Sequence, residues 1–255
     1  MPDTQTFTRR VLILLTFCLF CSSGPAALVA QDTDGNLVPG DDGDFVILTD
    51  LLTGTVPTVT VGDKDFSMFS YSPAGDMPAA ADVKVFGFQD EDGNYGLSFH
   101  GVFWDLPGGD VDSMATLEFD VEVSSQGQEL GNVISDAHLF LGGSGISLDQ
   151  ESEVSVDESF AGTSETLRVF SSTIGGPAQN ELSDFVNFGQ TYMSLRVTAL
   201  ISVQAGASAN QPARASVIDL SFSQTVVPEP SSALLMLLAG ATAAIRRSRR
   251  GLIVD

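Results

Sequence analysis

The chain has 255 residues, of which 33 are acidic and 11 basic, giving a net charge of −22 and a pI near 4.1. A surface this acidic repels the phosphate backbone, so nucleic-acid binding is excluded as a function class. The two cysteines, Cys18 and Cys21, both lie close to the N-terminus, so a domain that begins after them has no disulfide, thiolate metal site or cysteine nucleophile.

The first segment of the chain predicts export. Arg9 and Arg10 precede the apolar run VLILLTFCLF, and the small residues of SSGPAALVA follow it. A basic start, a short apolar helix and small residues before a polar segment are typical of a secretory signal peptide, and the run is too short for a membrane span. We expect a signal helix within residues 1–30, with cleavage between Ala30 and Gln31.

Two segments after the predicted leader carry oxygen ligands at alternating positions, which is the donor type that calcium favours. They are DTDGN, with Asp32, Asp34 and Asn36, and DEDGN, with Asp90, Asp92 and Asn94. Neither completes an EF-hand loop, because the glutamate at the twelfth position is missing. The alternatives are a flexible N-terminus of the mature chain for the first segment and a hairpin turn for the second, and the residues favour these over calcium. No other cofactor is expected.

Several stretches of residues 31–225 alternate apolar and polar residues, which predicts half-buried antiparallel strands. In ATLEFDVEV and YMSLRVTALISV the apolar face consists of Ala115, Leu117, Phe119, Val121 and Val123, and of Met193, Leu195, Val197, Ala199, Ile201 and Val203. About eleven short strands predict an all-β domain, an antiparallel two-sheet β-sandwich that is jelly-roll-like, with a closed barrel as the alternative. The segment PAQNELSDFVNFGQ, residues 177–190, is predicted to hold one or two helical turns.

The histidines His100 and His138 are predicted to be ordinary strand residues rather than catalytic bases or metal ligands. They should project from the strand faces opposite Phe99 and Leu139. The chain contains no G-x-S-x-G, H-E-x-x-H or glycine-rich phosphate motif, and no serine has a recognisable neighbouring base. The sequence therefore predicts a protein that is not an enzyme. A glycan-acting hydrolase, which needs only two carboxylates, is the least favoured alternative.

Trp104 is the single tryptophan and ends the strand-like run GLSFHGVFW. An indole at a strand end can stack on a sugar ring, but packing in the core or at its rim is the favoured interpretation. Trp104 is therefore retained as a candidate ligand contact beside the DEDGN loop.

The end of the chain predicts a membrane anchor. An uncharged apolar segment, residues 231–245, is preceded by Pro228, Glu229 and Pro230 and followed by Arg246, Arg247, Arg249 and Arg250. As a transmembrane helix the segment would span ~22 Å, against ~30 Å of hydrocarbon, and arginine side chains can reach the interface. The positive-inside rule then places residues 246–255 in the cytoplasm and the domain outside.

The Pro-Glu-Pro motif within residues 226–230, the apolar segment and the arginines together resemble the PEP-CTERM sorting signal, although GLIVD extends beyond the usual end. The resemblance implies recognition by an exosortase, a membrane transpeptidase-like cysteine protease that cuts near the motif and releases or reattaches the domain at the cell surface. The segments TVGDKDFSMFSYSP, GLSFHGVF and ISDAHLFLGG also resemble a group of uncharacterised PEP-CTERM surface proteins of bacteria. That group has no established activity.

The sequence thus predicts an exported, non-catalytic protein of the cell surface or extracellular matrix, anchored at first by its C-terminus. Its expected partners are an exosortase, the membrane and, from the setting of the proteins it resembles, extracellular polysaccharide. The alternative is a lectin-like, calcium-assisted glycan-binding module with Trp104 and the DEDGN loop near its site.

Overall fold

The structure is a computed structural model that describes residues 28–31, 37–38, 45–108, 112–147, 151–207, 209, 211–223 and 225–226. The predicted signal helix before residue 28, the ligand set of Asp32, Asp34 and Asn36, and the sorting motif, transmembrane helix and arginine cluster lie outside these residues. Among the described residues, no helix has the length and apolarity needed to cross a membrane.

The described residues are mainly β-strand. In chain order the strands are β1 (Leu28–Gln31), β2 (Leu37–Val38), β3 (Phe45–Ile47), β4 (Thr58–Val61), β5 (Lys64–Ala74), β6 (Lys84–Gln89), β7 (Tyr95–Asp105), β8 (Ser113–Val123), β9 (Asn132–Gly142), β10 (Glu153–Phe160), β11 (Thr166–Ser172), β12 (Gln179–Glu181), β13 (Ser183–Tyr192), β14 (Ser194–Gln204), β15 (Ala213–Phe222) and β16 (Thr225–Val226). The short helices are α1 (Leu48–Leu52), α2 (Ser125–Glu129) and a 3-10 turn (Ala80–Asp82).

The strands form two antiparallel sheets that pack face to face, which confirms the predicted β-sandwich. Sheet A has the order β12-β11-β10-β14-β8-β5-β4-β1-β2, and sheet B has the order β13-β9-β15-β7-β6-β3, with β16 pairing the start of β9. In sheet B, β9, β15 and β7 are neighbours although long stretches of chain separate them. This order decides which side chains meet on the outer face of sheet B.

The alternating patterns place the core as predicted. The apolar face of β8 is buried along its whole length, and the residues of β14 from Leu195 to Val203 are buried at every second position. Met193 was expected to continue this row, but it lies between β13 and β14 and is exposed. The row therefore begins at Leu195, because the chain crosses from sheet B to sheet A between β13 and β14.

The segment 177–190 contains β12 and most of β13, so the prediction of helical turns there was wrong. Its apolar residues alternate on two faces: Phe188 is buried against Phe160, with ring centroids 4.9 Å apart, and Phe185 projects outwards. That period of two suits a strand, and pairing of β13 with β9 satisfies its backbone hydrogen bonds.

The end of the predicted leader lies in a strand. Residues 28–31 pair with β4, with Leu28 opposite Val61 and Gln31 opposite Thr58. The predicted cleavage bond between Ala30 and Gln31 is therefore inside β1, and cleavage there would leave only Gln31 of this strand in the mature chain.

Candidate functional site

A groove of about 550 Å³ lies on the outer face of sheet B, between β13 and the β6–β7 turn. We call it the sheet B groove. Strand pairing sets its side chains in two rows that cross the sheet. The first row is Phe185, His138, Ser221, Gly96 and Phe88, and the second is Ser183, Phe140, Asp219, Ser98 and Phe86.

Aromatic rings stand on both sides of the groove. Phe185 and Phe140 are 69% and 44% exposed, which is unusual for phenylalanine on a soluble domain, and Phe88 is partly exposed on the opposite side. The imidazole of His138 lies beside Phe185, with ring centroids 5.9 Å apart. The walls are therefore apolar and largely available to a ligand.

The floor between these walls is polar. Ser221 and Asp219 line it, and Gly96 of β7 lies opposite Ser221. A Cβ at Gly96 would lie 2.0 Å from the backbone oxygen of Leu220, so the close pairing of β7 with β15 requires glycine at this position. Apolar walls over a few polar groups are typical of small-molecule and sugar sites.

The DEDGN loop forms the rim of the groove, and its first aspartate holds the turn together. Asp90 Oδ1 accepts hydrogen bonds from the backbone N–H groups of Asp92 (3.0 Å) and Asn94 (2.8 Å). Asp90 Oδ2 accepts from Asn94 Nδ2 (2.9 Å) and from Ser221 Oγ (2.7 Å). Both oxygens are thus occupied by protein donors, as in a hairpin turn stabilised by an aspartate. Within the described residues, no group of three or more histidines, cysteines or carboxylates is placed to hold a metal ion.

His138 is held at the groove by an acidic partner. Its Nε2 lies 3.3 Å from Asp136 Oδ1 and 3.5 Å from Asn94 Nδ2. The hydrogen bond with Asp136 raises the pKa of His138 above its usual value of 6.5, and the nearby Asp90 and Asp92 carboxylates add to the effect. When it is protonated, His138 is a hydrogen-bond donor that faces the groove.

The other histidine, His100, belongs to a hydrogen-bonded set of side chains that includes Asp219 of the groove floor. His100 Nε2 lies 2.8 Å from Ser98 Oγ, and Ser98 Oγ donates to Asp219 Oδ1. The sequence had offered no base for a serine, so this contact corrects that expectation. In a Ser-His-Asp triad the carboxylate orients the histidine, whereas here it contacts the serine, and Ser98 is buried.

Burial shifts the pKa values of His100 and Asp219 in this hydrogen-bonded set. It lowers the pKa of His100 below 6.5, and the Phe86 ring lies against the imidazole, with centroids 4.5 Å apart. Burial also raises the pKa of Asp219 above its usual 3.8, although its hydrogen bond with Ser98 opposes the shift. The hydrogen bond from Ser98 orients the Asp219 carboxyl group in the groove floor.

The structure brings together only part of the predicted site. Asp90 and Asp92 line the groove and Asn94 supports its turn, but Trp104 does not line it. Trp104 is 37% exposed and lies six residues further along β7 than Ser98, which is ~20 Å at ~3.3 Å per residue. Its side chain is exposed near the end of β7 and does not belong to the core.

Sequence reasoning missed the aromatic walls. Phe185 lies in the segment predicted to be helical, and Phe140 lies in a correctly predicted strand without any distinguishing motif. The available signal was their position in the alternating pattern: both phenylalanines lie on the face of the strand that otherwise carries polar residues.

No family model and no curated protein matches the chain. Among solved structures, the chain is similar to that of TmCBM61 in complex with β-1,4-galactotriose, with 12% identity, a TM-score of 0.32, and coverage of 62% of this chain and 88% of that one. The ligand of this chain must therefore be inferred from its own side chains.

Proposed function

We propose that the chain is an exported, non-catalytic surface protein whose sheet B groove binds a glycan. The observation that carries the proposal is the pair of exposed phenylalanines, Phe185 and Phe140, beside a polar floor on one face of a rigid sheet. Within the described part of the chain, this is where aromatic and hydrogen-bonding side chains converge around a depression.

The chemistry of a sugar matches these two surfaces. The C–H groups on one face of a pyranose ring pack on aromatic rings, and its hydroxyl groups require hydrogen-bond partners when they leave water. Phe185 and Phe140 supply the rings, while Asp219, Ser221 and His138 supply acceptors and donors. Two sheets with many backbone hydrogen bonds hold these groups in place, so little ordering is needed on binding.

The charge of the groove selects among glycans. Asp90, Glu91, Asp92 and Asp184 line it together with Asp219, and His138 is the titratable cation among the lining residues. Uronate or sulfate groups would be repelled there, whereas neutral hexoses would not. The expected ligand is therefore a neutral glycan, or one that carries amino groups, rather than an acidic polysaccharide.

The test is a glycan array probed with the purified chain, followed by calorimetric titration with the neutral hexose oligosaccharide that binds best. Phe185→Ala and Phe140→Ala should each lower the affinity roughly tenfold or more, because exposed aromatic anchors dominate such interfaces. Met114→Ala, which truncates an exposed apolar side chain on sheet A, is the matched control and should leave affinity unchanged. Equal affinity of all three variants, or a preference for uronate oligosaccharides, would refute the groove as the site.

The export and sorting part of the proposal is supported by the sequence at both ends of the chain. Two basic residues before an apolar run support export, and the Pro228–Glu229–Pro230 motif with its apolar and basic segments supports exosortase processing. Mass spectrometry of the mature C-terminus tests it: a terminus near Pro230 is expected in cells that possess the protease. An intact end at Asp255 in those cells would contradict processing and leave the groove proposal standing.

A further inference from the structure

A buried lysine lies outside the set of residues that line the groove. Lys64 is the first residue of β5 and is 0% exposed, which is rare for a lysine. Its side chain shares the inner face of β5 with Phe66, so it points between the sheets. The groove and the sorting signal give this lysine no role.

The ammonium group of Lys64 shares one carboxylate with an asparagine of the other sheet. Lys64 Nζ donates to Asp63 Oδ1 at 2.7 Å, and Asn132 Nδ2 donates to Asp63 Oδ2 at 2.8 Å. Lys64 belongs to sheet A and Asn132 is the first residue of β9 in sheet B. All three side chains are buried. One carboxylate therefore bridges an amine and a carboxamide in a site closed to solvent.

The short helix α2 closes the site. The backbone N–H of Ser124 donates to the carbonyl of Asp63 at 2.8 Å, and Gly127 packs directly against Asp63. A Cβ at Gly127 would lie 3.0 Å from Asp63 Cβ and 2.7 Å from Val123 Cγ1, so the absence of a side chain permits this approach. Ser124 and α2 therefore cover Asp63 on one side.

Burial favours the neutral, nucleophilic form of the lysine. Desolvation lowers the pKa of Lys64 below its usual 10.5, although the hydrogen bond with Asp63 opposes the shift. A desolvated lysine amine is a good nucleophile, and a carboxylate in hydrogen-bond reach is a suitable general base.

We propose that Lys64 and Asn132 form an intramolecular amide bond, with Asp63 as the proton carrier. Asp63 takes a proton from the Lys64 ammonium, and the free amine attacks Cγ of Asn132. Asp63, whose Oδ2 already contacts Nδ2, returns this proton to Nδ2, the bond from Cγ to Nδ2 breaks, and ammonia leaves. The nitrogen of the new amide then loses its second amine proton, which Asp63 passes to the ammonia to give ammonium. An ammonium and a carboxamide become a secondary amide and an ammonium ion, and nothing is oxidised or reduced.

Such a bond would join the two sheets covalently. The described residues contain no cysteine that could do so by a disulfide, because both cysteines precede residue 28. The bond closes a covalent loop between β5 and β9, so it restricts the unfolded chain as a disulfide would. It also replaces the buried amine by a neutral amide. An uncrosslinked site would instead hold a buried ion pair beside an asparagine.

The tryptic peptide map of the purified full chain tests the proposal. The lysines are Lys64 and Lys84, and the next basic residue is Arg168, so the fragments are well separated. In the crosslinked protein the segment that ends at Lys84 stays uncut after Lys64 and is joined to segment 85–168, and the pair is lighter by one ammonia molecule. Complete cleavage after Lys64 with a free segment 85–168, in protein that is folded, would overturn the proposal.

Variants separate the roles of the three residues. Lys64→Arg and Asn132→Ala should give only unlinked peptides, and Lys84→Arg, the control, should crosslink as the unchanged chain does. Asp63→Asn should slow crosslinking by about 100-fold or more, the typical contribution of a general base. Full crosslinking of the folded Asp63→Asn variant would remove Asp63 from the mechanism. Each result is independent of glycan binding and of sorting.

Discussion

Glu158 has a buried carboxyl group without a partner, and this predicts an unusual response to pH. The residue is in β10 between Val156 and Phe160, which point into the core on the same face. It is 1% exposed, and neither carboxyl oxygen has a hydrogen-bond partner among the described residues. Burial raises the pKa of Glu158 well above its usual 4.5. Replacing it by glutamine should therefore stabilise the protein near neutral pH.

The sign and size of the effect follow from proton linkage. Between the unfolded pKa, near 4.5, and the higher folded pKa, Glu158 is protonated in the folded state and ionised in the unfolded state. Unfolding then releases a proton, so the stability is fully present below the unfolded pKa and falls as pH rises towards the folded pKa. Within this window each pH unit lowers the equilibrium constant for folding about tenfold, so the free energy of unfolding falls by ~1 to ~2 kcal/mol per pH unit.

The assay is urea unfolding of the wild-type chain and Glu158→Gln at several pH values from 4 upwards. The two free energies of unfolding should be similar at pH 4, where both side chains are neutral, and should then diverge in favour of the variant. Glu181→Gln, which changes an exposed glutamate of the same sheet, should parallel the wild type at every pH. Parallel curves for Glu158→Gln would show that the carboxyl is ionised or hydrated in the folded protein, and would refute the reasoning.

Two further predictions follow from the core and from the histidines. Phe119→Ala should lower the free energy of unfolding by about 3 to 5 kcal/mol, because the fully buried ring contacts four other phenylalanines. The control, Leu130→Ala, truncates an exposed side chain and should change the free energy of unfolding by less than about 0.5 kcal/mol. Equal effects of the two substitutions in urea unfolding would contradict the packing. In an NMR titration, the midpoint of His138 should lie above pH 6.5 and that of His100 below it. The hydrogen bond with Asp136 favours the charged form of His138, and burial disfavours the charged form of His100. Coincident midpoints would contradict the difference between the two histidine sites.

The fold class was accessible from the sequence because strand alternation is local information. A row such as Leu117, Phe119 and Val121 identifies its buried face without knowledge of its partners, and the structure buries that face. The segment around Phe185 and Phe188 was predicted wrongly because its two phenylalanines lie on opposite faces. An exposed aromatic on the outer face conceals the period of two that the buried one indicates.

The candidate site could not be predicted in the same way, because it depends on the order of strands in sheet B. His138 meets Ser221 and Phe140 meets Asp219 only because β9 and β15 pair, although more than seventy-five residues separate each pair in the chain. The DEDGN turn was found by its local spacing, but its neighbours across the groove were not. For the same reason Asp63 and Asn132, which are 69 residues apart, gave no sequence signal.

Strand β9 connects the features that the proposals require. Its first residue, Asn132, carries the proposed crosslink, its middle carries His138 and Phe140 of the groove, and its start pairs with β16, which ends at Val226, two residues before Pro228. If the domain is held at its C-terminus, as we propose, tension reaches it through β16, whose pairing with β9 consists of only two residue pairs. The proposed amide between Asn132 and Lys64 would transfer that load from sheet B to sheet A, so the sheets would stay together under tension even if the local hydrogen bonds broke. His138 and Phe140 lie on the same strand as Asn132, so the proposed amide would also fix the strand that carries these two groove residues to sheet A.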